Sequence, residues 1–197
     1  MGLASKLRVS CSPAFYAVWA VLVLLVPVRW LVAWLTAAFC HECFHCLAVI
    51  LTGKRILNIR ITAFGAEIQT DPLEPAQSLF CALSGPLSGF VLLIFAKFIP
   101  RIALCAFAQS ICNLLPVGTL DGSIAMRSVL ALIFPEETAQ RICSHLELVM
   151  IIFLILMCGY GAWRWRIGNL PLLFAAVLLR RYRRRKIPCK YGLYRVQ

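Results

Sequence analysis

Three residues of the types that hold and use a metal ion fall within five positions of an otherwise apolar stretch, Cys40-His41-Glu42-Cys43-Phe44-His45-Cys46. On a helix the imidazoles of His41 and His45 stand one turn apart, about 40° from each other around the axis, so they can grip one ion together. Glu42 lies about 60° from His45, close enough to reach water beside that ion without being a ligand. Burying such groups in a lipid-spanning segment costs roughly 2.5–3.5 kcal/mol each on insertion scales, which marks them as functional rather than decorative. Histidines and a carboxylate that merely hydrogen-bond between helices would explain the residue types, but not three of them packed so closely.

A catalytic zinc site usually takes three protein ligands and keeps one position open, so a third ligand must come from elsewhere. Cys40, Cys43 and Cys46 are soft donors, yet Cys43 is about 200° round from His41 and Cys46 about 100° from His45, which makes them packing residues. His145 begins an apolar segment beside Arg141 and Glu147 and has no motif around it. Asp121 is better placed, in Asn113-Leu114-Leu115-Pro116-Val117-Gly118-Thr119-Leu120-Asp121-Gly122. Pro116 removes a backbone donor and Gly118 and Gly122 permit non-helical geometry, so this segment is expected to unwind near its end and line a cavity. Asn113 and Gln109 stand at i and i+4 on the preceding helix and give it one polar face.

The elements that must position these groups are membrane spans. Hydrophobic residues make up 61% of the 197 and the mean hydropathy is +0.85, against roughly 45–50% apolar content in soluble domains. The fold class expected is an all-α polytopic membrane protein forming one intramembrane domain over 1–197. Its six transmembrane helices fall at about 13–28, 30–52, 76–99, 102–118, 146–163 and 167–180. The first is read as an uncleaved span, because Pro27-Val28-Arg29-Trp30 offers no small-residue cleavage site. An even number of spans puts both termini on one side. That side collects Lys6, Arg8, Lys54, Arg55, Arg60, Arg127, Arg141 and the tail, against Arg29, Lys97, Arg101, Arg164 and Arg166 opposite, so both termini are expected in the cytoplasm.

The net charge of +12 is concentrated in the 180–197 tail, notably Arg180-Arg181-Tyr182-Arg183-Arg184-Arg185-Lys186. Directly after a span, such a run anchors topology and meets anionic lipid; no nucleic-acid partner is expected. The ten cysteines lie mostly in or beside apolar stretches, and read as buried free thiols rather than a disulfide scaffold. Between the second and third spans, Leu57 to Phe64 alternates apolar and polar residues, and the parity inverts after Gly65. That is the period-2 signature of a small β element over 56–70 at the membrane edge, with the glycine at a turn or bulge.

His41-Glu42-Cys43-Phe44-His45 together with Asn113-Leu114-Leu115-Pro116 and Asp121-Gly122 resembles the two signatures of the site-2 protease family of intramembrane zinc metalloproteases. The resemblance runs from about residue 30 to 125 and includes the Gly65 edge element and Ser84-Gly85-Pro86. The six-span plan is most like the stage IV sporulation protease subgroup. It implies zinc (Zn2+) held by His41, His45 and Asp121, with Glu42 as catalytic base. Two departures stand out. Gly89 occupies a position where the family often has Asn, three residues after the Gly-Pro pair. The subgroup usually carries a C-terminal nucleotide-sensing domain, whereas this sequence stops soon after Arg180, so ATP regulation in cis is not expected.

The chemistry implied is hydrolysis of a peptide bond in or near the transmembrane segment of a membrane-associated substrate, with a sigma-factor precursor implied by the subgroup. Asn113 would orient substrate or stabilise the oxyanion. A helical substrate must unwind before it is cut, and pairing with the edge at Phe64, Gly65 and Ala66 would replace its lost hydrogen bonds. Partners expected are the lipid bilayer, a membrane protein substrate and an inhibitory or activating membrane partner. The competing classes are a metal-ion transporter, for which no internal duplication is seen, and a catalytically silent adaptor, against which the intact His41, Glu42, His45 and Asp121 weigh.

Overall fold

The computed structural model describes residues 8–62, 65–165 and 195–196. The expected span at 167–180, most of the basic tail and Phe64 therefore lie outside the described residues. Within them the order is β1 (Arg8–Cys11), α1 (Pro13–Leu25), α2 (Val28–Leu51), β2 (Ile56–Thr62), β3 (Gly65–Thr70), α3 (Pro75–Ile94), α4 (Pro100–Asn113), α5 (Asp121–Ile133), α6 (Glu136–Trp165) and β4 (Arg195–Val196).

The chain is mostly helical with one small sheet. Among the described residues three helices are long and apolar enough to cross a membrane: α2, α3 and the Glu136–Gly161 part of α6. Two of the expected spans are shorter helices, α1 of 13 residues and α4 of 14. At 1.5 Å per residue these reach about 20 Å, short of the roughly 30 Å hydrocarbon core. The region between 118 and 146, read from the sequence as connection, contains α5.

Local chemistry sets the helix starts. Pro13, Pro75 and Pro100 each stand in the first turn, where the missing N–H is harmless and the fixed φ suits a helix. At α3 a reciprocal box adds to this: the Glu74 side chain accepts from the Gln77 backbone, and the Glu74 N–H donates to Gln77 Oε1 at 3.1 Å.

β2 and β3 form an antiparallel hairpin over the expected 56–70, with a register irregularity between Ile56 and Asn58. Gly65 takes φ 136°, which only glycine adopts without strain, and this accounts for the parity change after it. The sheet has the order β1-β2-β3-β4, with β1 parallel to β2 and β4 antiparallel to β3 at Ile68 and Gln69.

α3 packs against α2, α4 and α5, and α6 packs on α5. The joints use small residues: Ala33 and Ala37 of α2 meet Cys105 and Ala106 of α4. With lipid outside, close backbone approach and van der Waals packing hold such helices together. Gly89 belongs to this pattern. A Cβ there would sit 2.1 Å from Ser110 Oγ and 2.5 Å from the Ala106 carbonyl oxygen, so the departure from Asn reflects a crossing of α3 and α4 with no room for a side chain. Gly89→Ala is expected to destabilise the protein by about 1–3 kcal/mol through overpacking, measured by unfolding in detergent; unchanged stability would contradict the crossing.

All described cysteines are free. Cys81, Cys105 and Cys143 are buried as expected, but Cys11, Cys43 and Cys112 are exposed. For Cys43 and Cys112 the reason is that their helix faces turn away from neighbouring helices, where an apolar thiol is compatible with lipid.

Candidate metal centre

α2 carries His41 and His45 on the face turned inward, and both are buried. α3 lies directly over them at Gly85, whose missing side chain leaves the space that the two rings fill. α4 ends at Asn113, and the chain then runs without helix to Leu120, with Gly118 at φ 64°. This is the unwinding expected from Pro116 and the glycines. α5 then opens with Asp121, which is 1% exposed. A carboxylate in the first turn is favoured by the partial positive charge of the helix N-terminus.

These elements bring His41, His45 and Asp121 together. His41 Nε2 is 3.0 Å from Asp121 Oδ2, His45 Nε2 is 3.3 Å from Asp121 Oδ1, and the two Nε2 atoms are 3.2 Å apart. The tautomer of the neutral His45 ring follows from its other nitrogen. Nδ1 is 2.8 Å from the Cys81 carbonyl oxygen, which can only accept, so Nδ1 carries the hydrogen and Nε2 presents a lone pair to the cluster. Asn113 Nδ2 lies 3.1 Å from His41 Nε2. Three atoms that can each direct a lone pair at a shared cation thus converge in a buried space.

The donor set fits zinc. Two imidazole nitrogens and a carboxylate oxygen are among its preferred ligands, and atoms sharing a tetrahedral ion at about 2.0–2.1 Å lie roughly 3.3–3.4 Å apart. The observed separations of 3.0–3.3 Å approach that edge length. The Cys81 carbonyl also supplies the outer hydrogen bond that orients a ligating histidine.

Glu42 points at the hairpin. Its Oε1 accepts from the Ala66 N–H at 3.2 Å, while Oε2 is buried with no hydrogen-bond partner among the described residues. Gly65 lies alongside, where a Cβ would sit 3.6 Å from Oε1. The structure therefore uses the start of β3 to aim the carboxylate, and the Ala66 N–H expected to serve a substrate is engaged by Glu42. Further along the same edge, Ile68 and Gln69 pair with β4.

Of the polar pair on α4, Asn113 reaches the centre, whereas Gln109 Nε2 donates to the Trp34 carbonyl of α2 at 3.1 Å and acts as an interhelical tie. His145 is exposed on α6 and stands outside the cluster, as do Cys40, Cys43 and Cys46. Gly85 entered the sequence reading only within Ser84-Gly85-Pro86, without its place against the histidines, because a glycine beside a proline announces no partner; the Cys81 carbonyl was missed, since a backbone carbonyl carries no residue-type signal at all.

Comparison with solved structures places this geometry. The Site-2 Protease from Methanocaldococcus jannaschii superposes with a TM-score of 0.67 over 97% of this chain and 95% of that one, at 16% sequence identity. The chain has the fold of that protease. No family model and no curated protein matches the sequence. At this identity the likeness is one of fold.

Proposed function

We propose that this protein is an intramembrane zinc metalloprotease of site-2 protease type. The observation that carries the proposal is the convergence of three potential ligand atoms from His41, His45 and Asp121 next to a carboxylate, Glu42, that has one oxygen anchored on Ala66 and the other without a hydrogen-bond partner among the described residues. His41, His45 and Asp121 would hold the ion. Zinc, when bound, supplies a Lewis acid that activates water and polarises the scissile carbonyl.

The remaining work falls to this chain's own groups. Glu42 Oε2 takes a proton from the attacking water as its oxygen adds to the carbonyl carbon, then returns a proton to the amine as the carbon–nitrogen bond breaks. Asn113 Nδ2, pointing at His41 Nε2, stands where an amide donor can turn to the carbonyl oxygen of a bound substrate. An extended substrate segment pairing with the β3 edge near Gly65 and Ala66 would have to take over the Ala66 N–H from Glu42.

The substrate class is a membrane-associated protein cut in or near its transmembrane segment. Resemblance to the stage IV sporulation subgroup makes a sigma-factor precursor the first to try. The basic residues at the span ends support a multi-pass arrangement in the cell membrane with both termini cytoplasmic, and an inhibitory or activating membrane partner would act from within the bilayer.

The test is reconstitution in proteoliposomes with a candidate membrane substrate, followed by a zinc chelator. Metal contributes several kcal/mol to such a reaction, so cleavage is expected to fall at least about 10³-fold and to return on adding zinc. Cleavage that continues at full rate in the chelator would sink the proposal.

A further inference from the structure

The first turn of α5 is held in three directions at once. Asp121, Gly122 and Ser123 are successive residues, so they project about 100° apart around the helix. Asp121 faces the two histidines. Gly122 lies flat on the end of α4, where a Cβ would be 2.0 Å from the Leu114 carbonyl oxygen and 2.8 Å from that of Leu115. Ser123 faces α6, and its hydroxyl donates to Glu147 Oε1.

Glu147 is 3% exposed, an acidic group buried on a helix long and apolar enough to cross a membrane. Such a residue is retained for a purpose and needs partners. Its second donor is Arg127, whose Nη2 is 2.9 Å from the same oxygen. Ser123 and Arg127 stand at i and i+4, on one face of α5, so Glu147 grips that helix at two points a turn apart. One turn further along α6, Ile151 is buried against Val117, with Leu115 and Leu120 packed around the pair. The same face of α6 therefore holds both the unwound segment leading to Asp121 and the first turn that bears it.

We propose that Glu147 is a positioning residue for Asp121: through Ser123 and Arg127 it fixes the rotation of α5 about its own axis and thereby aims the Asp121 carboxylate at His41 and His45. A helix free to rotate by a fraction of one residue's 100° would swing the carboxylate off the histidines, although neither Glu147 nor Ser123 touches the centre. This assignment rests on the metal-site reading above and extends it to α6, a helix from which the sequence offered no functional residue.

Cobalt(II) titration of the purified full chain in detergent tests it, because visible cobalt bands report ligand geometry independently of activity. Glu147→Leu is expected to weaken cobalt binding about 10-fold or more, as outer-shell changes do, and to alter the spectrum. Glu147→Gln keeps an oxygen that accepts from Ser123 and Arg127 and is expected to restore the wild-type spectrum. Ser123→Ala removes one donor, leaves the Arg127 ion pair in place, and is expected to shift the spectrum in the same direction; it decides the matter alone if Glu147→Leu does not fold. A lower unfolding temperature with an unchanged spectrum in both variants, or Gln as impaired as Leu, would overturn the positioning role. Wild-type protein that is folded yet takes up no cobalt would overturn the metal site itself, and the positioning role with it.

Discussion

Glu42→Gln is expected to slow peptide-bond cleavage by roughly 10²–10⁴-fold, the usual worth of a positioned acid–base group, while the protein keeps its zinc. The substitution is close to isosteric. The amide oxygen can still accept from the Ala66 N–H, so the side chain should stay aimed by β3 as it is now. What disappears is the basic oxygen, Oε2, that has no partner among the described residues. None of the three converging ligand atoms belongs to Glu42, so metal content should not change. Kinetically the loss should appear in kcat, with KM retained, because the group acts on the reacting atoms rather than on remote parts of the substrate. A variant that cleaves as fast as wild type removes Glu42 from the mechanism. One that loses zinc along with activity makes Glu42 a ligand instead of a base.

What the sequence made legible are the features encoded by short-range spacing. The pairing of His41 with His45 follows from 3.6 residues per turn, the hairpin over 56–70 from a period of two, and the break after Asn113 from Pro116 and Gly118. Each needs only neighbours in the chain. α5 escaped for a physical reason. It has 13 residues, begins with the turn-forming pair Asp121-Gly122, and is followed by Pro135, Glu136 and Glu137, so a hydropathy window of about 19 residues averages it away. Six spans were expected, one of them outside the described residues, and among the described residues three helices have the length and apolar character to cross; shorter helices such as α4 draw their stability from packing on α2 and α3 rather than from lipid alone. Glu147 entered the sequence reading only as a neighbour of His145, because its partner Ser123 lies 24 positions away. Long-range partners of this kind become visible only when the helices are placed side by side.

Gly85 carries the other large effect, and the expected sign is opposite to that of a helix-propensity argument. Gly85 is interior to α3 and directly precedes Pro86. Replacing glycine by alanine inside a helix ordinarily stabilises it by about 0.5–1 kcal/mol. Here a Cβ would stand 2.2 Å from His45 Nε2, 2.5 Å from His45 Cε1 and 2.8 Å from His41 Cε1, all well inside van der Waals contact. His45 has nowhere to retreat: it is fully buried, and its Nδ1–H is tied to the Cys81 carbonyl at 2.8 Å, one turn back on the same helix α3. Either α3 lifts off α2, or the ring swings away and its lone pair leaves the centre. In both cases Asp121 and His41 are left as two ligands for an ion that needs three. Gly85→Ala should therefore retain its helical circular dichroism but lose most of its bound zinc by elemental analysis, with cleavage down at least about 10³-fold. Gly89→Ala, one turn further along α3, should do the reverse, losing stability through the α4 crossing before it loses metal. Stoichiometric zinc in purified Gly85→Ala would show that α3 does not close over the histidine pair, and the tight fit between Gly85 and His45 would have to be abandoned.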